Sequence, residues 1–197
     1  LKEVIDTQIS LPEGYHVEFG GQFESEEAAS RTLLFTSFIS IIVIFLLIYH
    51  EFHDLRESAI ILLNLPLALI GGVFTLLFTS GEISIPAIIG FISLFGIATR
   101  NGMLLINRYK TLQHEGGKTL IESVVHGSLD RLNPILMTAL TSALALIPLA
   151  VNGDLPGNEI QSPMAQVILG GLLSSTLLNG FIVPIVYLWM AKKETKA

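Results

Sequence analysis

Arg100 stands inside IPAIIGFISLFGIATRNGMLLI, a stretch that is otherwise apolar and long enough to cross a bilayer. Its guanidinium cannot be neutralised, because its pKa lies above about 12. A charge of this kind in a membrane span costs roughly 2.5–3.5 kcal/mol on insertion scales. It persists where it has a partner or a water-filled path. No acidic residue of this chain falls inside a predicted span, so Arg100 reads as one half of an ion pair whose carboxylate lies on another segment. Gly96, Arg100 and Leu104 share a helical face, Asn107 lies one turn further on, and Thr99 and Asn101 flank the arginine. The chemistry this permits is a proton-linked switch, with Asn101 and Asn107 extending the polar face; snorkelling to the inner surface is the alternative. Further along, Thr138, Thr141, Ser142 and Ala145 recur at helical spacing, which permits close helix contact and interhelical hydrogen bonds, or packing alone. Arg131 stands just before that run and by itself reads as a topology anchor. Gly171, Ser175 and Asn179, with Gly170 and Ser174 beside them, form a small-residue stripe that reads as packing rather than substrate contact.

The elements that must hold these residues are membrane helices. Nearly uncharged runs predict five spans, at about 33–49, 59–79, 85–107, 134–151 and 164–190. KTLIESVVHGSLD, within about 117–130, has helical spacing and a polar face, and predicts an interfacial helix on the cytoplasmic surface. Residues 192–197 form a short cytoplasmic tail. Residues 1–32 are soluble in character. There LKEVIDTQI reads as helical turns, SLPEG as a turn and YHVEF as a short strand, the remnant of a larger α/β domain. The expected fold is therefore all-α integral membrane, with five transmembrane helices preceded by a short α/β remnant.

Charge sets the orientation. With the N-terminal segment outside, the inner set holds Arg56, Arg108, Lys110, Lys118, Arg131, Lys192, Lys193 and Lys196, and the outer loops hold no Lys or Arg. Tyr49, Tyr109, Tyr187 and Trp189 fall at the same inner boundary. The C-terminus is therefore expected in the cytoplasm. Only 14% of residues are charged, against about 25% in a soluble domain. Cysteine is absent, which excludes disulfides, thiol nucleophiles and cysteine metal sites. The net charge is −6 and seven of the seventeen acids precede Glu51, which argues against nucleic acid as a partner. YHEFHDLRE offers His50, Glu51, His53 and Asp54, but not the H-E-x-x-H spacing of a zinc site, and reads as a solvated interfacial loop. No G-x-S-x-G elbow and no P-loop occurs, so neither a serine hydrolase nor an ATP-driven machine is expected from these residues. No catalytic group, resident metal site or cofactor is expected. The chain opens at Leu1 without a signal peptide, and is expected to be a piece of a longer protein.

Three runs in order, GFISLFGIATRNGMLLINRY, DRLNPILMTALTSALALIPLA and PGNEIQSPMAQVILGGLLSSTLLN, resemble the C-terminal membrane half of resistance-nodulation-division (RND) exporters. PGNEIQSPMA and LGGLLSSTLLN resemble the heavy-metal efflux branch of the CzcA type, and GYHVEFGGQFES resembles the end of that branch's periplasmic porter domain. The resemblance implies an inner-membrane proton antiporter of twelve helices in two similar halves, of which this chain would supply the eighth to the twelfth. It implies a homotrimer working with a periplasmic adaptor and an outer-membrane channel, and a missing N-terminal half of the same transporter that carries the proton-binding aspartates on its fourth helix. Arg100 would hold the tenth-helix relay position, often a lysine in drug exporters. Thr138 would match the relay threonine of the eleventh helix and Arg131 the arginine near its inner end. The monovalent copper and silver exporters resemble one another in a carboxylate at the Arg100 position and a lysine just after the eleventh-helix proline, where this chain has Ile135. The chain thus resembles the divalent-cation subgroup, with zinc, cobalt, nickel or cadmium as substrate. Three readings stand together here: proton-driven metal efflux, an RND exporter of drugs or another cargo, and a truncated membrane scaffold that does not transport.

Overall fold

The computed structural model describes residues 22–79, 81, 83–114, 117, 119–153 and 155–194. The strand expected at YHVEF, and with it most of the α/β remnant, lies outside them. The described residues are all-helical and contain no strand. In chain order the helices are α1 (Gln22–Phe52), α2 (Leu55–Leu62), α3 (Asn64–Phe78), α4 (Ile85–His114), α5 (Leu120–Val151) and α6 (Gln161–Glu194). Taking α2 and α3 together, five segments are long and apolar enough to cross a membrane.

Local chemistry explains most boundaries. His53, at φ 53°, turns the chain out of α1, and the Asp54 carboxylate caps α2 by accepting from the Arg56 N–H at 2.8 Å. Pro66 cannot donate to the carbonyl of Leu62, and α2 ends at that residue. Thr119 and Glu122 form a reciprocal capping box that starts α5. Where the sequence led us to expect an interfacial helix over 117–130 and a separate span over 134–151, one helix runs through Leu120–Val151 with Pro134 and Pro148 inside it. A proline removes only one backbone donor, and a helix packed on its neighbours tolerates the loss. Hydroxyls along α1 behave in the manner an apolar medium requires: Thr32, Thr36, Ser37 and Ser40 each donate to the carbonyl four residues back, at 2.7–2.8 Å.

α6 packs against α3, α4 and α5, and α4 also packs against α1 and α3. The tightest seam joins α3 and α6. A Cβ added to Gly71 would overlap Ser174 and the Gly170 carbonyl, one added to Gly170 would overlap Thr75, and one added to Gly171 would overlap Leu94. The Ser174 hydroxyl donates across this seam to the Leu67 carbonyl at 2.7 Å. Small residues let the two backbones approach, and dispersion and one hydrogen bond hold them, where lipid supplies no hydrophobic drive between helices. A second cluster centres on the fully buried Tyr109, with Ile48, Ile61, Leu105, Ile106 and Val183; its ring lies 5.2 Å from that of Tyr187.

Candidate functional site

α4 holds two of the candidate residues, Arg100 and Asn101. One stripe of this helix, Ala98, Gly102, Leu105 and Tyr109, is buried in the bundle. The opposite stripe, Ile89, Ser93, Gly96, Arg100 and Asn107, is exposed on the surface of the chain. Arg100 therefore points away from the helices described here. It forms no ion pair or hydrogen bond with another described residue. Gly96, one turn before it, has open space where a side chain would stand. The result is a shallow, side-chain-poor strip with a guanidinium at its centre, on a helix of membrane-spanning length.

The other sequence-derived candidates occupy different positions. Asn101 is only 5% exposed and faces the bundle, not the Arg100 face. Successive helical residues diverge by about 100°, so a neighbour in sequence is not a neighbour on the surface. Thr99 is buried as well, with its hydroxyl unpartnered. Thr138 is exposed on α5, and its hydroxyl donates to the Pro134 carbonyl at 2.8 Å. Thr141 does the same toward Met137 at 2.8 Å. Arg131 is half-buried on α5, and its Nε lies buried without a hydrogen-bond partner. No hydrogen bond or ion pair joins Arg100, Asn101, Thr138 and Arg131 to one another among the described residues.

The inner end of α4 differs. Arg108 donates through Nε and Nη2 to the Asp130 carboxylate of α5, at 3.0 and 2.6 Å. Lys110 donates to Glu57 of α2 at 2.7 Å and lies over the Phe52 ring at 5.5 Å. Tyr109 shares a 2.6 Å hydrogen bond with Ser128 of α5. Sequence reasoning placed Arg108 and Lys110 at the inner boundary but did not find their partners. The available signal was a complementary set of carboxylates, Glu57 and Asp130, flanking the predicted spans. Sequence reasoning also did not assign a role to Asn64, which is 1% exposed and packs against Gly102 with its Nδ2 unpartnered. Among the described residues no group of three or more His, Asp or Glu is arranged to hold a metal ion.

Comparison with known proteins follows the same outline. Residues 1–191 match the model of the AcrB/AcrD/AcrF family. The chain is 40% identical over 186 residues to Protein HelA of Legionella pneumophila, covering 94% of this chain and 18% of that protein. It is 34% identical over 193 residues to the cobalt-zinc-cadmium resistance protein CzcA of Cupriavidus metallidurans, covering 98% of this chain and 18% of that one. A crystal structure described as a heavy metal efflux pump superposes with a TM-score of 0.80 at 34% identity, over 97% of this chain and 19% of that structure. The chain thus spans about a fifth of the length of the relatives it matches.

Proposed function

Since the chain belongs to the AcrB/AcrD/AcrF family, we propose that it is the C-terminal membrane portion of a proton-driven exporter of heavy-metal cations, divalent ones by preference. The observation that carries the proposal is Arg100. It is a permanent cation on a membrane-length helix, turned outward, with no acid of the described chain to meet it. The metal-resistance relatives support the cargo. Ile135, in place of the lysine that the monovalent exporters share, supports the divalent preference.

In this mechanism the exposed strip of α4 receives a carboxylate-bearing helix from the rest of the transporter. With the carboxylate charged, Arg100 pairs with it. When a proton arrives from the periplasmic side the carboxylate is neutralised, Arg100 is released, and α4 shifts against its neighbours. An opposite charge within about 4–6 Å lowers a carboxylate's pKa, so Arg100 also sets how readily the proton binds. Thr138 and Arg131 on α5 and Asn101 on α4 complete the relay, Asn101 from the bundle side. The pump works as a homotrimer in the bacterial inner membrane with a periplasmic adaptor and an outer-membrane channel. Its segment before α1 is periplasmic and its C-terminus cytoplasmic, in keeping with the basic inner loops.

The test is Arg100→Ala in the complete transporter, read as metal resistance together with membrane insertion. Loss of resistance with normal insertion is expected. Undiminished resistance would sink the mechanism. A parallel panel of drugs, on which the same cells gain nothing, separates metal cargo from other RND cargo.

A further inference from the structure

Gly102 of α4 meets α3 at that helix's first residue. A Cβ on Gly102 would overlap the Asn64 amide nitrogen and stand 3.5 Å from a methyl of Ile61 on α2. Asn64 is 1% exposed, and its Nδ2 has no hydrogen-bond partner. Thr99, three residues before Gly102, is also buried with its hydroxyl unpartnered. Residues three apart stand one above the other on a helix face. The two groups are complementary, because an amide N–H donates and a hydroxyl oxygen accepts. They do not meet in this conformation, since a bond between them would leave neither unpartnered. Thr99 departs from the habit of its own helix. Ser93 and Thr111 each donate to the carbonyl four residues back, at 3.0 Å, which is the usual way to satisfy a helical hydroxyl. Thr75 and Thr138 do so on α3 and α5, at 2.9 and 2.8 Å. A buried hydroxyl or amide without a partner is costly, so a conformation that joins the two is favoured by that amount.

The same contact permits movement. Gly102 presents only backbone to Asn64, so no side chain of α4 interlocks there. Thr99 directly precedes Arg100, so whatever displaces the Arg100 turn carries Thr99 with it. A slide of α4 by about 4.5 Å toward its C-terminal end, with a turn of about 60°, brings Thr99 to the place that Gly102 holds. Helices that ratchet past a neighbour by one turn move by a similar amount, about 5.4 Å. We propose that Asn64 is a positioning residue for α4: its amide is open in the conformation described here, and donates to the Thr99 hydroxyl once α4 has shifted, holding the shifted state. The inference rests on the α4 shift proposed above for the release of Arg100, and adds the contact that receives it. Gly102 is the residue that lets Asn64 stand this close, and Thr99 is the residue that replaces it.

The complete transporter in proteoliposomes tests it, with flux of whichever of zinc, cobalt, nickel and cadmium it carries fastest, and thermal unfolding without metal or proton gradient. Thr99→Val, isosteric but without the hydroxyl, and Asn64→Ala should each lower the maximal rate about fivefold, with KM for the metal unchanged. The double variant should fall no further, because one bond is lost in all three. In unfolding at rest the two changes should simply add, since the pair is not formed there. Thr99→Ser, which keeps the hydroxyl, should hold the rate within about twofold of the parent. If Asn64→Ala does not insert, the contrast between Thr99→Val and Thr99→Ser reads the bond by itself. Rates that multiply in the double variant, a Thr99→Ser as slow as Thr99→Val, a change in KM alone, or coupling in unfolding at rest would each overturn the proposal. Arg100→Ala, run beside them, separates this inference from the reading it rests on. Flux lost there, with Thr99 and Asn64 effects that multiply, removes the Asn64 contact and leaves the Arg100 switch standing; flux kept there removes both.

Discussion

Two regions of α4, barely two turns apart, treat the same chemistry in opposite ways. At the inner end, Arg108 and Lys110 each reach a carboxylate on a neighbouring helix, Asp130 and Glu57. In the middle, Arg100 reaches none among the described residues and faces outward. The paired cations join α4 to α5 and α2 at a partly exposed boundary, where charge can be hydrated and an ion pair is worth little. Were Arg100 to meet the proposed carboxylate at mid-span, the charges would be screened less than at that boundary. The cations that the fold satisfies internally are architecture, whereas the proposed joint with the rest of the transporter rests on the one that faces outward.

The largest expected effect breaks that contrast at its centre. In the complete transporter, Arg100→Ala removes the cation proposed to pair with the facing carboxylate. The carboxylate then holds its proton more tightly, and transport is expected to fall at least about tenfold near neutral pH. The residual activity shifts toward alkaline pH, where the carboxylate regains its charge, and a pH profile of proton-coupled metal flux in proteoliposomes measures this. An unshifted profile would mean that no carboxylate senses Arg100.

Next comes Lys110→Ala with Glu57→Ala in a double-mutant cycle. These side chains are 31% and 13% exposed, so a coupling of roughly 1 kcal/mol is expected in thermal unfolding, with flux nearly unchanged. A loss of flux matching that of Arg100→Ala would erase the distinction between the two regions. Arg108→Ala is expected to cost less. Its pair with Asp130 is 33% and 45% exposed, so about 0.5 kcal/mol or below, shrinking further in high salt, should appear in the same assay. Thr138→Val is the smallest in stability. Its hydroxyl returns to its own helix at Pro134, so unfolding should move by less than about 0.5 kcal/mol. Any clear drop in flux from this change then reports a relay role, because structure alone predicts none.

Much of this was legible in the residues. The apolar run lengths predicted five crossing segments, and five segments have the required length and composition. The stripe Gly170, Gly171, Ser174 and Ser175 read as packing, and it packs against Gly71, Thr75 and Leu94. Proline was a less certain guide. Pro66 coincides with a break between α2 and α3, while Pro134 lies inside an unbroken helix. Pro66 falls in the first turn of α3, where a missing backbone donor costs little, while Pro134 lies mid-helix. Asn101 illustrates the limit of reading a polar face from adjacency: beside Arg100 in sequence, it is turned into the bundle.

The sequence alone determined that these residues form membrane-length helices and that one of them carries a permanently charged guanidinium. Both are local properties, set by run length, hydropathy and the high pKa of arginine. Only the tertiary structure decided which cations find partners, that Arg100 faces outward while Asn101 faces in, and that Gly102 packs against Asn64. Those outcomes depend on the rotation of each helix about its axis and on how closely small residues let backbones approach. Packing between distant segments sets both.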